Sequence, residues 1–78
     1  MDAVYVLLID DTRFGCEAAV EVYATYESAR KGMVRWYGED IARLKGKVLG
    51  CGLHEDSAYV ETDEGEITYE VGKRKVIH

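Results

Sequence analysis

Apolar residues recur along this chain with two different periods. From Tyr26 to Leu44 the spacing is helical. At about 100° per residue, Tyr26, Met33, Tyr37 and Leu44 fall near one line, with Ala29 and Trp36 on one flank and Val34 and Ile41 on the other. A stripe that broad is what a helix buries against a sheet. The opposite helix face carries Lys31, Arg35, Glu39 and Arg43, while Arg30 and Asp40 interrupt the margins of the stripe. Thr25 stands where its hydroxyl can cap the first turn, and Glu27 suits the positive end of the helix dipole. Gly32 and Gly38 each weaken a helix interior by roughly 1 kcal/mol relative to alanine, and Gly38 is where the helix would divide.

Elsewhere the period is that of strands. Ala3 to Ile9 is apolar at every position, as suits a strand in the middle of a sheet. Asp10 to Cys16 is polar, contains Gly15, and reads as a hairpin loop. Glu17 to Ala24 alternates, which sends Ala18, Val20, Val22 and Ala24 one way and Glu17, Ala19, Glu21 and Tyr23 the other. The small apolar set is expected to face the core. Ser57 to Thr62 alternates again, Asp63-Glu64-Gly65 signals a turn, and Glu66 to Val71 follows with Ile67, Tyr69 and Val71 inward and Glu66, Thr68 and Glu70 outward. Lys47 to Glu55 holds Gly50 and Gly52 and has no clear period, so it reads as a loop or the irregular start of a strand. The expected fold is α+β: one domain spanning residues 1–78, ordered ββαββ, with a four-stranded antiparallel sheet and one helix packed on one face. With four strands, full antiparallel pairing favours the order second, first, third, fourth.

Composition narrows the class. The chain is 47% hydrophobic, ordinary for a folded domain, and no apolar run approaches the roughly 20 residues of a membrane span. Two cysteines are too few for a secreted disulfide scaffold, and the start of the chain lacks a basic leader. A cytoplasmic protein with reduced thiols is expected; Cys16 and Cys51 would pair only in an oxidising compartment. The net charge of −5 is unevenly spread: residues 51–72 hold seven acids and no lysine or arginine. The basic helix residues Lys31, Arg35, Arg43 and Lys45 could touch a nucleic acid, but the field of the whole molecule opposes one, so none is expected as a partner.

Candidate chemistry is sparse. Asp10 and Asp11 are hard-cation ligands without a third in view. The stretch VLLIDDT resembles the first strand and acidic pocket of response-regulator receiver domains. Such domains also need a phosphoacceptor strand and a lysine strand, for which this chain has no room. Cys51 and His54, with Cys16 and His78, are zinc-ligand types without the paired close spacing of a structural site. A thiol nucleophile would further need an orienting group that nothing supplies. No catalytic residue, metal or cofactor is therefore expected. An enzyme or ligand-binding domain centred on Asp10, Asp11, Cys51 and His54 is the alternative, and nucleic-acid binding by the helix the second.

One helix covers one face of a sheet, and a chain this short has no second layer. The uncovered face should show an apolar middle from the first strand and a margin of Glu17, Glu21, Tyr23, Tyr59, Glu61, Glu66 and Glu70. Arg13 and Phe14, at the tip of the first loop, have the composition of a binding hot spot. A sticky centre with a polar rim is the anatomy of an interface. Alternate carboxylates along a strand stand about 6.5–7 Å apart, close to the spacing of successive phosphates along a nucleic-acid strand. The expected partner is a protein that handles nucleic acid, or a second copy forming a homodimer through the open sheet face. In size, acidity and absence of motifs the chain resembles the small inhibitors encoded by phages and mobile elements, anti-CRISPR proteins among them; that likeness assigns no residue.

Overall fold

The computed structural model describes residues 3–13 and 17–75. In chain order these form β1 (Ala3–Asp11), β2 (Glu17–Tyr23), α1 (Tyr26–Arg43), β3 (Val48–Leu53), β4 (Ser57–Thr62) and β5 (Gly65–Lys75). The fold is α+β, ββαβββ: a five-stranded antiparallel sheet in the order β2-β1-β5-β4-β3, with the helix packed against it.

The helix begins as its sequence requires. Thr25 is extended and its side chain accepts a hydrogen bond from the Ser28 amide at 3.1 Å. The helix then runs without a break through Gly38 to Arg43. Its length and polarity are not those of a membrane span; no helix among the described residues is long and apolar enough to cross one.

Two expectations about the sheet are corrected. The sheet has five strands, not four, because Val48–Leu53 pairs with β4 despite its glycines. Its period is concealed by a register shift between Val48 and Gly50. The extra strand reverses the direction of everything after it. β5, rather than Ser57–Thr62, therefore runs antiparallel to β1 and takes the place beside it, with Leu7 opposite Val71 and Ile9 opposite Tyr69.

The second correction concerns β2. Its register places Tyr5 opposite Tyr23 and Leu7 opposite Glu21. Residues directly opposite in an antiparallel pair share a face. Because Leu7 and Ile9 are buried toward the helix, Glu21 and Tyr23 face the helix too. Val20 and Val22 point to the uncovered side, 59% and 63% exposed. The cause lies in α1. A Cβ at Gly32 would overlap the Tyr23 hydroxyl, so this glycine lets the tyrosine lie against the helix. Tyrosine then hides more apolar area than valine could.

The core sits between helix and sheet. Ala29, Met33 and Leu44 of the α1 segment meet Leu7 and Ile9 of β1, Val60 of β4 and Ile67 and Tyr69 of β5. Tyr5 meets Tyr26 edge-on at 6.0 Å between ring centres, and Tyr37 meets Tyr69 at 6.2 Å.

Candidate functional site: the uncovered face of the sheet

On the helix side of the sheet Asp11, Glu21 and Asp40 are bonded within the molecule. Arg13 grips Asp11 with two hydrogen bonds, Nε to Oδ1 at 3.0 Å and Nη2 to Oδ2 at 2.7 Å. This holds the Asp11 carboxyl below its ordinary range. Glu21 accepts from the Tyr23 hydroxyl and from the Trp36 indole at 3.1 Å. Those bonds, the tyrosine's first, lower its pKa as well. Asp40, buried in the helix, accepts from the Tyr69 hydroxyl and from Arg43 at 2.5 Å. Burial, followed by that bond to Asp40, drives the Tyr69 pKa upward. Tyr37 is pushed up to about 12 by its hydrogen bond with the Cys51 thiol and then by burial. A buried charge without a partner is costly, and among the described residues this side leaves no buried polar side-chain atom without one.

The uncovered face is built differently. Following the register across it, β2 contributes Ala18, Val20 and Val22; β1 contributes Val4, Val6, Leu8 and Asp10. β5 contributes Glu66, Thr68, Glu70 and Arg74, and β4 contributes Ser57, Tyr59 and Glu61. One half of the face is therefore apolar and the other acidic. Among the described residues, Asp10, Glu61, Glu66 and Glu70 have no side-chain hydrogen bond or ion pair. Glu61 and Glu66 stand directly opposite each other on β4 and β5. Like charges so placed destabilise a sheet.

Within this face lies a depression of about 420 Å³. Leu8, Asp10, Ser57, Tyr59, Thr68, Glu70 and His54 border it. On the edge strand, a Cβ at Gly52 would come within 2.6 Å of the Tyr59 ring, so the glycine gives that ring its resting place. A second cleft of about 410 Å³ opens on the helix side beside Ile9, Ala19, Trp36, Asp40 and Arg43. Its polar groups are already engaged: Asp11 accepts from Arg13, Trp36 donates to Glu21, and Asp40 accepts from Arg43 and Tyr69.

The residues expected to form the binding face are thus divided. Tyr59, Glu61, Glu66 and Glu70 lie on it. Glu21 and Tyr23 do not: both turn to the helix, and Val20 and Val22 take their place. Glu17 pairs in register with Asp11. Arg13 is not an exposed loop tip, since its side chain is 7% exposed and folded back on Asp11. Phe14 lies outside the described residues. The valines were missed because exposed β-branched residues look like core in a sequence; the signal that could have found them is the glycine at position 32.

The alternative centre does not assemble as a unit. Asp10 and Asp11, adjacent in β1, point to opposite faces of the sheet. Asp10 and His54 border the same depression, whereas Cys51, a free thiol, lies at the far edge against Tyr37. Among the described residues no three histidine, cysteine or acidic side chains are placed to hold a metal ion; Cys16 and His78 lie outside them. The basic helix residues Lys31, Arg35 and Lys45 are exposed, as is Arg43, whose guanidinium is bonded to Asp40. No protein-family model matches the chain, and neither a curated protein nor a solved structure gives a significant match.

Proposed function

We propose that this chain is a small non-enzymatic binding module that uses the uncovered face of its sheet to engage another protein. Its partner presents an apolar centre beside a basic patch. Surfaces of that kind are how nucleic-acid-handling proteins hold their substrate, and a module that covered one would act as its inhibitor. The observation that carries this reading is the Glu61–Glu66 pair: the two residues are register partners on β4 and β5, the Glu61 carboxylate leans over Gly50 of β3, and neither has an ion-pair partner among the described residues. The fold gains nothing from that arrangement; a basic partner would. Beside it the apolar half, centred on Val20 and Val22, supplies area that contact would remove from water.

The test is affinity capture from a host extract with three baits compared by quantitative mass spectrometry: the natural protein, Glu61→Lys with Glu66→Lys, and Lys31→Ala with Arg35→Ala. The reading expects a nucleic-acid-handling protein held by the first and third baits and lost from the second. It fails if no protein separates the baits, or if the helix-face variant loses the same protein equally.

A second reading, self-association through the same face, is favoured by the exposure of Val20 and Val22 on an edge strand with no lysine or proline to discourage pairing. Two copies related by a two-fold axis parallel to the strands would stack β1 and β2 on their counterparts and leave both acidic halves outside. Sedimentation separates the readings. A dimer at micromolar concentration that Val20→Asp dissociates supports self-association; a monomer at all concentrations rules it out.

A further inference from the structure

The depression on the uncovered face has a regular plan. Two rows of residues cross three strands: Leu8, Glu70 and Ser57 in one, Asp10, Thr68 and Tyr59 in the other. Thr68 and Ser57 are short, so the floor drops between taller neighbours. Leu8 and the Tyr59 ring form two apolar walls. Asp10 and Glu70 are diagonal neighbours across β1 and β5, a placement that sets such positions roughly 7–8 Å apart.

We propose that this depression receives the side chain of an arginine from the partner protein. The inference rests on the binding-module reading and adds the anchor that the partner supplies. The planar guanidinium has five donors in a fixed fork and a long aliphatic stem. Its donors reach the two carboxylates together. Its stem lies against Leu8, and its flat face meets the Tyr59 ring. The volume, about 420 Å³, admits such a side chain. Charge decides the occupant. Among the described residues neither carboxylate has an intramolecular partner, and the only basic side chain bordering the depression is His54. Arg74, the other cation on this face, sits opposite Val4 and donates to the Lys73 carbonyl at 3.0 Å. The helix-side cleft gives the contrast: its carboxylates are already bonded to Arg43 and Arg13, and so it invites no cation.

The experiment is a titration followed by amide resonances, at low salt, with N-acetyl-arginine methylamide as the probe and its citrulline counterpart as the uncharged control. The expected result is a saturable shift of the Leu8, Asp10, Thr68 and Glu70 amides by the arginine probe alone. In the Asp10→Asn, Glu70→Gln double variant, affinity should fall about tenfold or more, the loss of charge-assisted hydrogen bonds. A well-dispersed spectrum of that variant shows that its fold is kept. The proposal is overturned if the arginine probe causes no saturable shift, if citrulline moves the same amides, or if the double variant binds as the natural protein does. Glu61 and Glu66 lie outside the depression. Capture that depends on them, together with failure of the arginine titration, overturns the anchor and leaves the binding module standing.

Discussion

Asp10 and Asp11 are neighbours in one strand and lead different lives. Asp11, on the helix side, is clasped by Arg13 and held ionised; Asp10, on the other, has no partner among the described residues. The contrast extends over the whole sheet. Toward the helix, Asp11, Glu21 and Asp40 each accept a hydrogen bond from an arginine, a tyrosine or a tryptophan. Away from it, Asp10, Glu61, Glu66 and Glu70 accept none from the described side chains. A face whose described buried charges are matched is finished by folding. The other face keeps unmatched carboxylates beside exposed valines, and that difference is the physical content of the functional proposal.

The sharpest way to break the comparison uses two adjacent leucines. Leu7 is fully buried beneath the helix and Leu8 is half-buried on the other face. Leu7→Ala should cost about 3–5 kcal/mol by lost transfer energy and the cavity left behind. Leu8→Ala should cost about 1 kcal/mol, since the contact it lacks is one that folding does not supply. Urea denaturation of the two variants measures the difference. Equal costs would mean that the uncovered face is covered after all.

Two glycines of one helix provide the next test. Gly32 faces Tyr23, and a Cβ there meets the tyrosine hydroxyl; Gly38 faces open space. Alanine favours a helix over glycine by roughly 1 kcal/mol. At position 38 that gain should appear as added stability. At position 32, overpacking of about 1–3 kcal/mol offsets it, so Gly32→Ala should destabilise, and Tyr23→Phe in the same chain should restore part of the loss. The same substitution with opposite signs, read from thermal midpoints, would confirm which side of β2 is turned inward.

That pair also explains what the sequence conceals. The helix, its Thr25 cap and the β4–β5 turn are legible because each is a local pattern: a period, a capping residue, an acidic turn with glycine. So are the outward positions of Tyr59, Glu61, Glu66 and Glu70, since Ile67, Tyr69 and Val71 are unambiguous core. β3 is hidden because glycine has no side chain to show a period. Missing it inverts the direction of the last two strands and hence the strand order. The orientation of β2 is not a local property at all. Within EAAVEVY, valine and alanine look like core and glutamate and tyrosine like surface. The deciding contacts, Tyr23 on Gly32 and Glu21 on Trp36, come from a different element.

The internally bonded acids and tyrosines of the helix side should also govern how stability depends on pH. Asp11 and Glu21 have lowered folded pKa values, so their contribution is present above the ordinary carboxylate range near 4 and is lost as pH falls through the depressed values. Tyr37 and Tyr69 are raised. Their contribution is present below the ordinary tyrosine value of 10 and is lost as pH climbs from there through about 12 for Tyr37. Chemical denaturation from pH 2 to pH 12 should therefore give a plateau with an acid and an alkaline limb. Glu21→Gln should shorten the acid limb, and Tyr37→Phe should shorten the alkaline one. A variant with an unchanged limb would show that the corresponding bond contributes nothing to folding.

The smallest effect is the most informative about function. Glu61 and Glu66 oppose each other on β4 and β5, and like charges in that position weaken a sheet by about 0.2–1 kcal/mol. Glu61→Lys converts the repulsion into an attraction, so the variant should unfold at a higher urea concentration than the natural protein, with the gain shrinking as salt is added. Most substitutions destabilise; one that stabilises by relieving a built-in repulsion marks a position kept for something other than folding. If the charge pair serves a basic partner, the same variant must gain stability and lose capture together. Gains in both would place the partner elsewhere on the surface. No gain in stability would mean that water and ions already screen the pair, and the strongest physical reason for assigning a partner to this face would be gone.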